Sequence, residues 1–143
     1  MTATLEGALL TPCLLDNSVI ARIPTGEVPV ESVVRFTQRG HFLAACTPQV
    51  LEALFSARSP REWDKEYHAR WSLLEVLHPN DRTHPLALDL QRRLWISGKV
   101  RAAGPVDTMI AAIAIQHGAI VVHRDSDYER IAEVAPEFRQ VRV

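Results

Sequence analysis

The sequence predicts an α/β fold in which helices flank a central, mostly parallel sheet. Short apolar segments alternate along the chain with longer segments of helical periodicity, as parallel strands with crossover helices require. Proline or a capping residue opens several helical segments, and glycine closes two of them. The 143 residues suit one hydrophobic core, and no linker or internal repeat divides them. We therefore expect one domain at residues 12–143, preceded by an N-terminal tail at 1–11.

The predicted elements follow from apolar runs and their capping residues. In the first half they are a strand at 12–15, a helix from Pro29 to Gly40, a strand at 42–46 and a helix from Gln49 to Arg58 capped by Thr47. In the second half they are a helical hairpin formed by 61–77 and 83–97, a helix at 106–117 closed by Gly118, a buried strand at 119–122, a short helix capped by Ser126 or Asp127, and an edge strand at 138–143.

The composition excludes several classes of protein. The net charge of −1 does not by itself indicate a nucleic-acid or membrane partner. The longest apolar run, Met109 to Ile115, is too short to cross a membrane. No basic start followed by an apolar stretch and a small-residue cleavage site is visible, so we expect no secretory signal. The two cysteines, Cys13 and Cys46, lie in apolar segments, which indicates buried free thiols in a reducing compartment. We therefore expect a cytoplasmic protein without a membrane partner.

Acidic residues follow the ends of the predicted strands and open the helices after them. The carboxyl ends of parallel strands and the amino ends of the following helices share one edge of a sheet, so these acids should converge there. Taken singly, an acid at a helix start often only caps the helix, which accounts well for Asp107 but poorly for Asp16. The converging acids are Asp16, Glu52, Asp107, Asp125 and Asp127.

Several carboxylates at one edge have an electrostatic consequence. Two of them about 4 Å apart repel by about 4 kcal/mol at an effective dielectric constant near 20. They must either raise one another's pKa or bind a cation. Ligand sets made only of oxygen suit Mg²⁺ or Mn²⁺, which retain several waters. The pattern therefore predicts a metal centre suited to phosphoryl-transfer chemistry.

Four segments, in order, carry a resemblance to a known family. The first ends a strand in Leu-Leu-Asp16-Asn-Ser, and the second is Thr-Pro-Gln-Val-Leu-Glu52. The third is Gly-Pro-Val-Asp107 at a helix start, and the fourth is a strand followed by Asp125-Ser-Asp127-Tyr. From Pro12 onward the chain resembles the PIN-domain ribonucleases, and in character the VapC-type toxins of bacterial type II toxin–antitoxin pairs. Each motif alone is weak, but the ordered set of four is specific.

The resemblance implies a fold, an activity and partners. The fold would be a three-layer α/β/α sandwich. The activity would be that of a magnesium-dependent endoribonuclease, with Mn²⁺ as the alternative ion, in which a metal-activated water cleaves structured RNA and leaves a 5′-phosphate and a 3′-hydroxyl. A cognate antitoxin would inhibit the enzyme, and the enzyme would form a homodimer.

The resemblance also assigns residues. The catalytic acids would be Asp16, Glu52, Asp107 and Asp125, and the metal ligands Asp16, Asp107, Asp125 and Asp127. Ser18 would be an accessory hydroxyl, and Asn17 would be an accessory residue at a position where the family more often has Thr or Ser. Nearly all basic residues are arginine, whose planar fork suits phosphate, and the candidate RNA contacts are Arg58, Arg61 and Arg124.

Other interpretations stay open at this point. A non-catalytic PIN-like module that binds RNA or protein would have no need of the complete acid set. A phosphatase or receiver-like domain fits the alternation but would show Asp-x-Asp after the first strand. The stripe of Trp63, Tyr67 and Trp71 suits core packing, an antitoxin groove or base stacking. His123 suits a strand end or a role near the metal.

Overall fold

The centre of the molecule is a sheet whose strand order places the first long strand in the middle. The computed structural model describes residues 3–5 and 8–143. The strands are β1 (Ala3–Leu5), β2 (Ala8–Leu15), β3 (His41–Ala45), β4 (Glu75–Val76), β5 (Ile120–His123) and β6 (Arg139–Arg142). The order β4-β3-β2-β5-β6 is parallel throughout, and β1 pairs antiparallel with β2. A mostly parallel central sheet was predicted and is confirmed.

Seven helices connect these strands in the described part of the chain. They are α1 (Asn17–Ile20), α2 (Val30–Gln38), α3 (Thr47–Leu54), α4 (Pro60–Ala69), α5 (Thr83–Ile96), α6 (Pro105–His117) and α7 (Ser126–Val134). A single 3-10 turn, Trp71–Leu73, follows α4. Gly118 ends α6 with a positive φ of 63°, which favours glycine, as the sequence predicted.

Helices cover both faces of the sheet because successive residues of the central strands point to opposite sides. Cys13 faces Val19, Val28 and Val33 of the α1–α2 region, together with Val122 of β5. Its neighbour Leu14 faces the larger cluster built by α5, α6 and α7. Both central strands are therefore buried on two faces, and the predicted three-layer architecture is confirmed.

The beginning of the domain differs from the prediction. The strand predicted at 12–15 begins at Ala8, and Ala3–Leu5 pairs with its first residues. Part of the segment predicted as a tail therefore adds to the sheet, while residues 1–2 and 6–7 lie outside the described residues. The early start was missed because Pro12 has no N–H to donate to a strand ladder and is usually found at the first residue of a strand. The division into a tail and a domain stays a prediction.

The region predicted as a helical hairpin holds two helices but joins them differently. The first helix ends at Ala69 rather than at residue 77, and the 3-10 turn and β4 follow it. Helix α4 contacts α3 and the 3-10 turn, whereas α5 packs on α6 and α7. Burial of Trp71 and Leu77 explains the break, because strand pairing of β4 with β3 brings both side chains into the core.

Two expectations about the cysteines and the membrane can be compared with the structure. Cys13 and Cys46 are buried and unbridged, as predicted. Burial raises the pKa of Cys13 to about 12 and that of Cys46 to about 11, so both are inert thiols at neutral pH. None of the described helices is long and apolar enough to cross a membrane.

The strand order fixes where a site can form. The chain leaves β2 toward β3 on one side, and β5 lies on the other side. A crevice opens at such a switch point, beyond the carboxyl ends of the two strands. Asp16 directly follows β2, and Asp125 lies two residues beyond the end of β5. The topology therefore brings these two acids to the same crevice.

Candidate metal centre

Three carboxylates meet at this crevice. One oxygen each of Asp107, Asp125 and Asp127 lies within 4.8 Å of the other two, and all three residues are partly buried. Asp107 comes from the first turn of α6, whereas the other two come from the start of α7. We call these three residues the acid cluster. The predicted convergence of acids from separate segments is thus present in the structure for these residues.

The electrostatic consequence falls mainly on Asp107. Burial raises its pKa to about 7, and the charges of Asp125, Asp16 and Glu52 add to the effect. A carboxylate with this pKa holds a proton over much of the neutral range when no cation is present. The other acids reach it through space from three different elements, so the crevice is a single electrostatic unit.

Asp16 lies beside the acid cluster and outside its 4.8 Å group. Its side chain is 7% exposed and caps α1, where Oδ2 accepts a hydrogen bond of 3.0 Å from the Ser18 N–H. The expectation that Asp16 need not cap a helix was wrong, because the chain turns into the one-turn helix α1 immediately after β2. The remaining oxygen, Oδ1, accepts from the hydroxyl of Tyr128 at 2.9 Å.

Asp125 has two roles in local structure. It is the N-cap of α7, and its Oδ1 accepts from the Asp127 N–H at 2.9 Å. The predicted caps, Ser126 and Asp127, lie instead inside the first turn. The backbone N–H of Asp125 donates to Nδ1 of His123 at 3.1 Å. Side chain and backbone of Asp125 are therefore both fixed.

His123 is the buried residue that accepts the hydrogen bond of the Asp125 backbone. It is fully buried, and its Nε2 lies 2.5 Å from Oε1 of Gln140 on β6. Because Nδ1 accepts from the Asp125 N–H, Nε2 is the ring nitrogen that donates, and Gln140 accepts from it. The interpretation of His123 as a strand-end residue fits this burial. Its ring supports Asp125 and is closed off from solvent.

Glu52 contributes from α3 at the rim of the crevice. It is exposed, and partial burial raises its pKa, followed by the charges of Asp16 and Asp125. The structure therefore places Glu52 within the electrostatic reach of the other acids but outside the 4.8 Å group. Asp127, at the opposite rim, pairs with Arg130 at 3.0 Å.

The predicted accessory residues hold the turn after β2. The hydroxyl of Ser18 accepts a hydrogen bond of 2.9 Å from the Arg124 N–H, which ties α1 to the segment after β5. Asn17 lines a cavity of about 230 Å³ between α1, α3 and α4. Neither contact is directed at the acid cluster.

The candidate RNA contacts differ in their freedom. Arg58, between α3 and α4, and Arg61, in the first turn of α4, are both exposed. Among the described residues neither has an ion-pair partner within 4 Å. Arg124 is held, because its Nη1 donates to the Glu27 carbonyl at 2.7 Å. Arg58 and Arg61 are therefore the more available of the three for a phosphate.

The aromatic stripe divides between core and surface. Trp71 is buried in the core, while Trp63 and Tyr67 stack with ring centroids 5.4 Å apart. Together they line a groove of about 190 Å³ between α4 and α3, beside the exposed side chain of Leu51. Core packing thus accounts for Trp71, and the groove accounts for the other two.

Tyr128 was not predicted as a site residue, although it is the aromatic residue of the Asp-x-Asp-aromatic segment. Tyr128 is fully buried under the crevice, where burial and then the charge of Asp16 raise its pKa, so its hydroxyl remains a donor. Gln49 was not predicted either, and its amide donates to the Leu15 carbonyl and accepts from the Cys46 N–H at 3.1 Å. Cys46, not Thr47, is accordingly the N-cap of α3. A polar side chain on a buried helix face was the available signal for Gln49.

The donor set fits a hard divalent cation. All ligand atoms are carboxylate oxygens, and the oxygens are close enough to share one ion. Burial and the charges of the neighbouring acids raise the pKa of Asp107, while Arg130 pairs with Asp127 at one side of the cluster. Asp107, Asp125 and Asp127 are the residues that could hold it, with Asp16 adjacent. Such a centre could orient a water molecule against a phosphate ester.

Comparison with known proteins agrees with this geometry. Residues 13–134 match the PIN domain family. Ribonuclease VapC17 of Mycobacterium tuberculosis is 34% identical over 91% of this chain and 94% of its own length. VapBC2 from Rickettsia felis, solved with a promoter DNA fragment, has a similar fold, with a TM-score of 0.75, 14% identity and coverage of 93% of this chain and 99% of that one.

A second solved structure belongs to a named toxin–antitoxin system. VapBC-5 from Mycobacterium tuberculosis, a member of the VapBC family of such systems, matches with a TM-score of 0.63 and 22% identity over 93% of this chain and 99% of that one. These likenesses concern the fold. The match over residues 13–134 and the 34% identity to VapC17 show the family. The chain belongs to the PIN domain family, among the sequences of the VapC type.

Proposed function

We propose that the chain is a magnesium-dependent endoribonuclease toxin that cleaves structured RNA and is inhibited by a cognate antitoxin. The observation that carries the proposal is the acid cluster, in which three carboxylate oxygens lie within 4.8 Å of one another beside a fourth acid, Asp16. The similarity to Ribonuclease VapC17 supports RNA as the substrate class. Its 34% identity extends over most of both chains.

We assign metal binding to the partly buried acids of the crevice and proton transfer to the exposed one. A bound Mg²⁺, or Mn²⁺ in its place, would supply the Lewis acid that activates water and offsets the charge of the scissile phosphate. The acid cluster of Asp107, Asp125 and Asp127 would hold the ion. Asp16 would add a fourth negative charge beside them. Glu52 is exposed at the rim with a raised pKa, so we assign it the proton taken from the attacking water. Attack at phosphorus breaks the bond to the 3′ oxygen and leaves a 3′-hydroxyl and a 5′-phosphate.

Two further assignments belong to the same proposal. Arg58 and Arg61 would contact RNA phosphates near the rim, while Arg124 together with Ser18 and Asn17 would hold the turn after β2 in place. The solved VapBC-5 complex, from a toxin–antitoxin family, supports an antitoxin as protein partner. We also propose that the chain is cytoplasmic and forms a homodimer. Light scattering of the purified chain would test the dimer.

The activity is tested by incubating purified chain with total cellular RNA and sequencing the new ends. We expect discrete cuts carrying 5′-phosphates when Mg²⁺ is present, and none with excess chelator. Asp107→Asn should abolish the cuts, while Asp64→Asn, an exposed aspartate of α4, should retain them. Cleavage that survives in chelator or in the Asp107 variant would contradict the metal assignment. Tight RNA binding without cleavage would instead indicate a non-catalytic binding module.

The toxin role is tested separately in cells. Expression of the chain should stop growth, and co-expression of a small protein encoded beside it should restore growth. The Asp107→Asn variant should be harmless while still binding that partner. Growth arrest by the Asp107 variant would separate toxicity from nuclease activity and contradict the proposed mechanism.

A further inference from the structure

A buried phenol joins the two sides of the crevice. Tyr128 is in the first turn of α7, and its ring packs in the core against His123 and Phe138, with ring centroids 5.2 and 6.1 Å away. Only its hydroxyl is polar, and it donates to Oδ1 of Asp16 at 2.9 Å across 112 residues of sequence. Phenylalanine would fill the same core space, so the packing does not require the hydroxyl.

The acceptor of this bond is itself held from the other side. Oδ2 of Asp16 accepts from the Ser18 N–H at 3.0 Å, while Oδ1 accepts from Tyr128. With a donor on each oxygen the carboxylate plane cannot rotate, and each oxygen keeps a further lone pair. A hydrogen bond to an ionised acceptor is also among the stronger ones in proteins.

The hydroxyl also interacts with the acid cluster. Its interaction with Asp107 lowers the pKa of that carboxyl against the larger effect of burial. A neutral donor is the appropriate group here, since lysine or arginine would bring a positive charge that repels a cation. The phenol therefore fixes the Asp16 carboxylate without reducing the negative charge of the crevice.

We propose that Tyr128 is a positioning residue of the metal centre, whose hydroxyl sets the Asp16 carboxylate beside Asp107 for a divalent cation. The inference rests on the proposed metal dependence. It assigns to this chain's tyrosine the orientation of ligands that outer hydrogen-bonding partners provide in metal sites, where their loss typically lowers metal affinity or activity about 10- to 100-fold.

The test measures binding of Mn²⁺ alone, by calorimetry or electron paramagnetic resonance, to the full chain and to Tyr128→Phe. We expect the dissociation constant to rise about 10-fold or more in the variant, with unchanged circular dichroism. Tyr67→Phe is the matched control, because Tyr67 is the chain's other tyrosine and stacks on Trp63 away from the acids. It should bind Mn²⁺ like the unmodified chain.

A second comparison shows whether Tyr128 acts through Asp16. Asp16→Asn and the double variant Asp16→Asn/Tyr128→Phe should have equal Mn²⁺ affinity, since the group that the hydroxyl positions is already altered. Equal affinity of the unmodified chain and Tyr128→Phe, or an additional loss in the double variant, would overturn the assignment. Absence of Mn²⁺ binding by the unmodified chain would overturn the proposed metal dependence itself, so the two failures are distinguishable.

Discussion

A carboxylate oxygen of Asp107 lies within 4.8 Å of a carboxylate oxygen of Asp125. The two residues come from the starts of different helices, α6 and α7, and each helix follows the crevice edge of the sheet. Their roles in stability are opposite. Asp125 caps its helix and stabilises it, whereas Asp107 is the acid whose pKa burial and its neighbours raise to about 7.

Asp107 should therefore make the metal-free chain less stable as the pH rises. Its pKa is raised from 3.8 to about 7, so between these values the folded chain binds more protons than the unfolded chain. Stability must then fall with increasing pH across this window, by at most about 4 kcal/mol. Glu52, whose pKa is also raised, acts in the same direction. Urea unfolding in chelator at pH 5 and pH 8 measures the difference.

The Asp107→Asn variant isolates this contribution. It should be more stable than the unmodified chain at pH 8 and should show a smaller decrease between pH 5 and pH 8. Asp64→Asn, on the exposed surface of α4, should keep the original pH dependence. An unchanged pH dependence in the Asp107 variant would show that the acid cluster does not carry the effect.

Divalent cations should restore the stability that the unmodified chain loses as the pH rises. A cation that binds only the folded chain stabilises it by about 2.7 kcal/mol at a concentration 100 times its dissociation constant. It must displace the proton of Asp107, so the increase in melting temperature from Mg²⁺ should be larger at pH 8 than at pH 5. Thermal unfolding with Mg²⁺ and with chelator at both pH values provides the measurement. Equal increases at both pH values would show that the ion binds elsewhere.

Much of this site could be predicted because its signals are local. Asp16, Asp107 and Asp125 each stand next to a strand end or a helix start, and the parallel sheet brings such positions to one edge. The hydrogen bonds of Tyr128 and His123 could not be predicted, since their partners, Asp16 and Gln140, come close to them only after folding.

The fold shows the same division between local and distant causes. Helix α6 was predicted almost to the residue, because Pro105 and Gly118 mark its ends. The helix expected at 61–77 was overestimated, since pairing of the two-residue strand β4 with β3 overrides its local helical periodicity. An edge strand of two residues leaves no periodic signal in the sequence.

Substitutions of Asp16 should separate its structural role from its chemical one. Asn remains a good N-cap, whereas Ala removes the acceptor of the Ser18 N–H and should cost about 0.5–2 kcal/mol. Ala also leaves the buried Tyr128 hydroxyl without its acceptor. We therefore expect Asp16→Asn to keep near-normal stability, Asp16→Ala to lose it, and both to lose RNA cleavage. Urea unfolding beside a cleavage assay distinguishes them. Equal stability of the two variants would argue against the capping role.

Arg58 and Arg61 should contribute to RNA binding through charge alone. Both are exposed and follow α3, the helix that carries Glu52. Each phosphate contact that is lost reduces the slope of log affinity against log salt by about 0.7 for a single strand. The double variant Arg58→Ala/Arg61→Ala should bind RNA more weakly, with a shallower salt dependence and no change in cleavage positions. Arg139→Ala is the control. Arg139 is the first residue of the parallel strand β6 and therefore lies at the amino end of the strands, whereas the acids lie beyond their carboxyl ends. Filter binding of a non-cleavable RNA at about 50 to 200 mM salt, where phosphate contacts strongly affect affinity, gives the salt slopes of the double variant and of the unmodified chain. A salt slope that is the same in the double variant and in the unmodified chain would remove these arginines from the RNA path.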